Sequence, residues 1–555
     1  MRPNIIQLRT LASVVVGALW VGGAASAAPP LHAQIDALIE AQAGGPVADA
    51  ADDAEFHRRL FLDLNGVIPT VEETRTFLAD KNPQKRLPLI DRLLESPRYV
   101  LRMREALTVM LLERRVGNNV PTEDWNRFVE SSVSANKPWD QFVRDLVEAD
   151  GAVDETRGSV KFFVDGGRAD HDQMTEDVAR LFLGMNIHCA KCHDHPVVDQ
   201  FMQSDYFGLL GYLNQSKLAK HAKLQKAFLV ENAAAAKLEF QSVFFPDTKE
   251  AVGPRLPGGA EVAVPTFAKG EELSAPAQDG LPGVPKFRPR VLLARDLTAA
   301  TNRRFVENSV NRFWSLLMGR GLVEPLDMMH DENPASHPAV LKLLADEFVA
   351  HRFDVRWLVR ELVLSQTYQR SSRLPAGVAI ADAGPRTYRV ANAKGLSPEQ
   401  TAWSLMRATG VLEKIQAKQR PADSKFTYKD YINRRIPPPD NLADTMLLFA
   451  AVFGNPPGEP EVGFQPSMGQ ALFLMNEPLV LDWLSIDGGE LIELAAKQSD
   501  PQAAELLYLQ ILGRPATTEE ATEVGEYIAA AKSREDGVKE FAWALIASAE
   551  FRLNH

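Results

Sequence analysis

Apolar residues recur every three or four positions through most of this 555-residue chain, the spacing that lays one hydrophobic face along a helix. Phe56, Leu60, Phe61 and Leu64 follow that rhythm, which stops at Asn65-Gly66 and restarts after Pro69-Thr70 with Glu72 and Glu73 in the first turn. This predicts helix, turn, helix. The pattern also covers 31–42, 85–94, 97–115 and 121–134, and Pro138-Trp139 opens a further helix through Phe142, Leu146 and Val147. Between Phe240 and Pro289 it fails, and frequent Pro and Gly with a short alternation at Val262, Val264 and Phe267 predict a loop-rich connector with a few short strands. Helical spacing returns at 302–318 and, after Gly319-Arg320-Gly321, at 338–351 and 355–365, then at 398–411, 469–487 and from 502 onward. The expected fold is mainly α, with two multi-helix domains (31–235 and 291–555) joined by a Pro/Gly-rich connector (236–290).

Ahead of the first helix the chain carries an address. Arg2 and Arg9 flank a cationic start, 11–23 is apolar, and Ala25-Ser26-Ala27 supplies the small residues that signal peptidase needs. Residues 1–27 are therefore expected to be an export signal, with an uncleaved amino-terminal anchor as the alternative. The expected location is the periplasm, the cell envelope or the medium, with no transmembrane span after cleavage. A chain 45% hydrophobic and 24% charged suits globular domains and excludes a collagenous or disordered protein. Its formal charge of -12 lacks the basic footprint that tracks phosphates, so no nucleic-acid partner is expected.

Export makes the cysteine count informative. The only two cysteines, Cys189 and Cys192, are followed at once by His193. No disulfide framework is possible, and stability must come from large apolar cores. Cys189-Ala190-Lys191-Cys192-His193 has the spacing of a covalent haem c attachment site. Two thiols three residues apart can add to vinyl groups on adjacent pyrroles, and the following imidazole then lies under the iron. Haem c is thus the expected cofactor, bound by Cys189 and Cys192 with His193 as proximal ligand. Two other readings stay open: a local disulfide with His193 lowering a thiol pKa, or a zinc or iron site of Cys189, Cys192, His193 and His195. Either would make the protein a haem-free envelope scaffold or binding protein.

A second axial ligand has several candidates. Met174, Met185 and Met202 lie nearby in sequence, although each Met belongs by default to a core, and His171 or His188 would give a lower-potential bis-imidazole pair. His195 is too close along the chain to cross a porphyrin and suits a place near the propionates or behind the ligand. An open sixth position would permit peroxide or oxygen chemistry. A haem-dependent redox enzyme therefore stands beside electron exchange with an unidentified redox partner protein.

Other features are structural by expectation. Trp125, Trp139, Trp314, Trp357 and Trp403 fall on apolar helical faces as core anchors, and His337-Pro338 marks a helix entry with a buried imidazole. Arg58, Arg59, Arg303, Arg304 and Arg312 either pair internally or cradle haem propionates. The sequence holds no Gly-x-Ser-x-Gly elbow, phosphate loop or His-Glu-x-x-His motif.

Two blocks of the chain resemble a known pair of families. Phe56 to Leu64 with Gly66, Pro69 and Glu73, then Leu183-Gly184, the Cys189 to Pro196 segment and Asp205-Tyr206-Phe207, resemble the planctomycete-type cytochrome domain, a bacterial family of unknown function. Asn308 to Trp314, Gly319 to Pro325, Asn333-Pro334, Ser336-His337-Pro338, Ser365 to Gln369 with Ser371-Ser372, and Gln470 to Asn476 resemble its usual carboxyl-terminal partner domain. The resemblance covers nearly the whole mature chain and implies the same CxxCH haem site. It names no substrate.

Overall fold

Asp52 accepts the free amides of Ala54 and Glu55 at 3.0 and 2.9 Å and so starts the helix Asp53–Asn65 where the apolar rhythm predicts one. In this computed structural model, which describes residues 29–166, 170–233, 237–419, 440–460, 467–485 and 488–555, that helix ends on Gly66 with φ 70°. The left-handed turn lets its amide reach the Leu62 carbonyl. Thr70 and Glu73 then accept each other's amides, a reciprocal cap that opens Val71–Ala79. The expected signal, 1–27, lies outside the described residues, among which no helix is long and apolar enough to cross a membrane.

The first half builds α1 (Leu31–Gln42), α2 (Asp53–Asn65), α3 (Val71–Ala79), α4 (Arg86–Leu94), α5 (Pro97–Leu112), α6 (Thr122–Ser134) and α7 (Trp139–Glu148). Then come α8 (Lys161–Val164), α9 (His171–Leu183) and α10 (Gln203–Leu213). An antiparallel hairpin, β1 (Ser216–Lys220) with β2 (Ala227–Glu231), follows inside a block expected to be mostly helical. Its apolar run Ala227 to Val230 is too short for a helix, and Leu229 is buried as its amide bonds the Asp150 carbonyl at 3.0 Å.

The connector holds β3 (Leu238–Phe240) paired with β4 (Glu250–Val252), and β5 (Leu273–Ala275) paired with β6 (Val284–Pro285). The alternation at Val262, Val264 and Phe267 forms no strand, although the amide of Val262 bonds the Pro254 carbonyl. Next come α11 (Pro289–Leu297), α12 (Arg303–Met318), α13 (Pro338–Ala350), α14 (Val355–Leu364) and α15 (Gln366–Gln369). The stretch 469–487 yields two helices, Met468–Asn476 and Pro478–Trp483, because Pro478 cannot donate its amide and opens a new first turn. The fold is mainly helical, with short two-stranded sheets, as expected.

Packing divides the chain differently from its periodicity. One core runs from Leu31 to Leu229 and also takes Leu293 through Tyr388, so α11 to α15 pack with α1 to α10. The Trp139 ring meets Phe313 edge-on at 5.2 Å while its Nε1 donates to Ser309 Oγ at 2.9 Å, joining α7 to α12. The second core takes Leu396 to Phe551 and borrows Leu62, Val67 and Ile68. The break at 236–290 is thus a break in periodicity and not in packing. Trp125, Trp139 and Trp314 are buried anchors. Trp357 and Trp403 are half-buried, and Trp403 Nε1 donates to Glu105 at 2.9 Å.

His57 on α2 carries a pH signature. Its ring stacks on Phe77 with centroids 4.7 Å apart, and neither ring nitrogen finds a hydrogen-bond partner. Burial, aided by the charges of Arg92 and Lys85, pushes its pKa from 6.5 down to about 3. The unfolded chain therefore binds the extra proton first. The contribution of His57 is fully present above pH 6.5 and is lost as the pH falls toward 3, by about 2 kcal/mol between pH 6.5 and 5. His57→Leu is expected to remove that slope in urea titrations at pH 7 and pH 5. An unaltered pH dependence in the variant would contradict the assignment.

Candidate functional site

Helix α9 delivers the chain to the CxxCH motif, and α12 fixes its end. Asn308 Nδ2 donates to the Leu181 carbonyl at 2.8 Å and Arg312 to the Arg180 carbonyl at 2.7 Å, satisfying groups that the last turn leaves free. Gly184 follows at φ 65°, where a Cβ would meet Met329 Sδ at 2.7 Å. Only glycine permits this approach. Residues 184–186 then run beside 327–329: Met329 N bonds the Gly184 carbonyl at 2.9 Å, Asn186 N bonds that of Asp327 at 2.8 Å, and Met185 bridges Met328.

The motif itself is a turn of 3₁₀-helix, His188–Lys191. Ala190 is fully buried and pins it, while Cys189 stays half-buried, Cys192 is exposed, and the thiols are not bonded to each other. The amides of Cys192 and His193 turn back to the Cys189 carbonyl at 3.2 and 3.4 Å. His193 Nδ1 lies 2.6 Å from the carbonyl oxygen of Asp194. A carbonyl only accepts, so Nδ1 carries the hydrogen and the Nε2 lone pair of the neutral ring is left free.

A supporting shell holds this turn. Asp194 Oδ1 accepts the Gln203 amide at 2.7 Å, and the Gln203 side chain donates to the carbonyls of Lys191 and Gln241 at 3.3 and 3.2 Å. The Val243 amide bonds the Cys192 carbonyl at 3.0 Å, which brings Phe244 to 4.9 Å from the His193 ring, centroid to centroid. Lys191 pairs with Asp172, which also accepts from Tyr206 Oη at 2.5 Å. Partial burial opposes ionisation of Asp172, but the hydrogen bonds from Lys191 and Tyr206 outweigh it and its carboxyl titrates below the ordinary range. Beside the motif, Val197, Met202, Val243, Phe244 and Phe245 are 70, 40, 62, 68 and 68% exposed. That is an unusual concentration of apolar surface.

The other predicted residues divide cleanly. His195 Nδ1 accepts the amides of Val197 and Val198 at 3.3 and 3.0 Å, so its hydrogen sits on Nε2 and the neutral ring offers no lone pair for a metal. Burial, and then the neighbouring His330 and His193 rings, hold its pKa down. Met174 and Met185 are fully buried in the first core, as their default role predicts. His171 Nε2 bonds the Ser216 carbonyl at 2.6 Å, and His188, exposed, pairs with Glu176 at 2.9 Å. Met202 lies exposed at the start of α10. Among the described residues no group of three or more His, Cys, Asp and Glu side chains is gathered to hold a metal ion.

The five arginines are engaged internally. Arg58 donates to the carbonyls of Ile511 and Phe551, Arg59 to those of Tyr368 and Arg370, Arg303 to Asp346, Arg304 to the Met329 carbonyl, and Arg312 to Arg180. His337 is buried before α13, as expected.

One residue near the site escaped the sequence reading. His330, from the second half of the chain, packs edge-on to Phe201 at 5.8 Å, and Phe201 in turn meets the edge of His195 at 5.6 Å. Its Nδ1 is buried with no hydrogen-bond partner. Gln200 and Asp331 bond one another beside it. No local motif marks His330, since only the tertiary fold brings it here.

Comparison with known proteins gives two family matches. Residues 34–218 match PSCyt2, described as a protein of unknown function (DUF1549), and residues 289–528 match PSD1, described as a protein of unknown function (DUF1553). The first span contains Cys189, Cys192 and His193, and the second contains His330. No curated protein and no solved structure matches the chain.

Proposed function

Because this chain joins the planctomycete cytochrome domain to its carboxyl-terminal partner domain, we propose that it is an exported, single-haem c-type protein that exchanges electrons with a partner oxidoreductase. The observation that carries the reading is the hydrogen bond from His193 Nδ1 to the Asp194 carbonyl, 2.6 Å long, which frees Nε2 beside two unbonded thiols. The donor set fits haem c: two sulfurs for thioether bonds, one imidazole nitrogen for iron, and an exposed apolar margin for a porphyrin to cover. Residues 1–27 support the reading, since an export signal would send the chain to the compartment where haem is attached.

Each residue then has a definite task. Cys189 and Cys192 would hold the group through two thioether bonds, each thiol adding its S–H across one vinyl group with no net oxidation. When bound, haem supplies a one-electron ferric/ferrous couple. The Asp194 carbonyl fixes the tautomer and orientation of His193 and makes it a stronger ligand. Val243 and Phe244 flank one side of the motif through the Val243 amide and the Phe244 ring, and offer a bound porphyrin apolar surface to cover. The exposure of Cys192 keeps the site at the surface, where a redox partner can approach.

The test is the intact mass of the full chain from a host competent in cytochrome maturation. The expected result is a single chain heavier by one haem that survives denaturation. A chain lighter by two hydrogens, or one that loses only a metal ion to a chelator, would overturn the proposal. Carbon monoxide separates electron exchange from oxygen or peroxide chemistry. A filled sixth position resists it, whereas an open one binds it.

A further inference from the structure

We propose that the face around Cys192 is the docking surface for a small basic redox protein; this rests on the preceding reading for what is exchanged there and adds the chemistry of the partner. The face has an apolar centre and an acidic border. Val197, Met202, Phe244 and Phe245 supply the centre, all exposed beside the exposed Cys192. Single apolar residues at a surface need no explanation, but a group of them on two segments that converge on one motif marks a contact region. Three segments supply the border. The stretch 184–203 carries the motif, 242–248 is fastened to it by the bond from Val243 N to the Cys192 carbonyl, and 327–333 by the bonds from Met329 N to Gly184 and from Asp331 N to the Gln200 side chain. Together they hold six carboxylates, Asp194, Asp199, Asp247, Asp327, Asp331 and Glu332, against one lysine, Lys191. Lys191 is already paired with Asp172.

All of these carboxylates except that of Asp327 belong to exposed residues. Arg304, half-buried on α12, donates to the Met329 carbonyl and offsets one of the charges, which leaves the border negative. Lys249, just beyond the second segment, faces Glu239 at 4.0 Å. This pattern selects among occupants. A second copy of the chain would bring a like-charged border against this one, and an anionic lipid surface would be repelled in the same way. A protein whose redox group lies in an apolar patch ringed by cationic side chains meets the centre with apolar surface and the border with opposite charge. Such attraction speeds encounter and turns the partner before contact, and a small contact area lets the complex part after one electron has passed. The formal charge of -12 on the whole chain acts in the same sense, but only the border is placed beside the thiols.

The experiment titrates the full chain, with and without haem, against a lysine-rich cytochrome c and against an acidic redox protein of similar size, using calorimetry. The first complex is then fixed with a carbodiimide, which joins carboxylates to lysines in direct contact, and mapped by mass. The lysine-rich probe is expected to bind and to lose its affinity between about 0.01 and 1 M salt, as the screening length falls from about 30 to 3 Å. Its cross-links are expected at Asp199, Asp247, Asp331 and Glu332. Asp199→Lys with Glu332→Lys alters two exposed side chains that make no hydrogen bond or ion pair with the described residues, and is expected to weaken binding by about tenfold or more. Glu523→Lys with Glu526→Lys, exposed on the helix Thr518–Ala530, changes the net charge equally and is expected to alter affinity by less than about twofold. Preference for the acidic probe, no binding of either, cross-links spread over the remaining surface, equal effects of the two double variants, or self-association through this face would each overturn the proposal. A mass without haem, with binding and cross-links as expected, defeats the preceding reading and leaves the docking surface; attached haem without them defeats the surface alone.

Discussion

Asp63→Ala is expected to cost about 3–5 kcal/mol in a urea titration, because it strands a buried ammonium. Asp63 lies on α2, and its carboxylate is almost wholly enclosed. Oδ1 accepts from Lys394 Nζ at 2.6 Å and from Asn554 Nδ2 at 2.8 Å, while Oδ2 accepts from Tyr368 Oη at 2.8 Å. Lys394 also donates to the Leu317 carbonyl at 2.7 Å and so closes the last turn of α12. One carboxylate thus ties α2, α12, the Tyr368 turn and the end of the chain, where the two cores meet. Burial already holds the Lys394 pKa below its ordinary value despite the opposing pull of Asp63. Without Asp63 it falls further, so the folded state binds fewer protons than the unfolded one. The variant's deficit is therefore expected to shrink as the pH rises from 7 toward 9. Asp63→Leu with Lys394→Met is expected to recover most of the loss, since an apolar pair of similar size needs no ion pairing. A single variant within about 1 kcal/mol of wild type would show that the carboxylate does not join the cores.

The elements that the sequence announces are those whose ends are written locally. Asp52, Thr70 with Glu73, and Ser397 with Gln400 each cap a helix through side chains within three residues of its start, so a short window contains the signal. The hairpin at Ser216–Lys220 and Ala227–Glu231 was not legible in this way. Its five-residue strands are shorter than the window in which helical and strand periods differ, and they are held by distant groups such as Arg290, which donates to the Leu229 carbonyl at 3.0 Å. The partition of the cores was hidden for a related reason. Trp139 and Phe313 both look like core residues, but nothing in either segment states that each is the other's neighbour.

The site divides along the same line. Cys189, Cys192 and His193 are adjacent in sequence and legible as a group, because their chemistry depends on that spacing. The default core role of Met174 and Met185 was legible too, and both are buried. What makes the group usable was not. Asp194 is next in the chain, but its bond to His193 is a matter of geometry, and Gln203 and Val243 arrive through α10 and the connector. The motif is thus a surface turn on a rigid support: Ala190 reaches into the core, Tyr206, Asp172 and Lys191 brace one side, and Gln203 bridges the other.

That separation between a firm support and two thiols that belong to no hydrophobic core predicts an all-or-none change of chemistry without a change of fold. Replacing Cys189 and Cys192 together by Ser is expected to abolish covalent haem completely, as read by mass after denaturation, while leaving folding stability within about 0.5 kcal/mol of the unloaded wild type. Cys192 is exposed and Cys189 half-buried, neither belongs to a hydrophobic core, and each substitution exchanges one small side chain for another of similar shape. The backbone bonds that shape the turn, from Cys192 N and His193 N to the Cys189 carbonyl and from Val243 N to the Cys192 carbonyl, do not involve the sulfurs. His193 keeps its bond to Asp194, so the variant retains an imidazole able to bind haem reversibly but not to hold it through denaturation. A stabilising disulfide would give a different pair of results, with no haem in the wild type and a measurable loss of stability in the variant. Haem that stays with the denatured double variant would show that these two sulfurs are not the points of attachment.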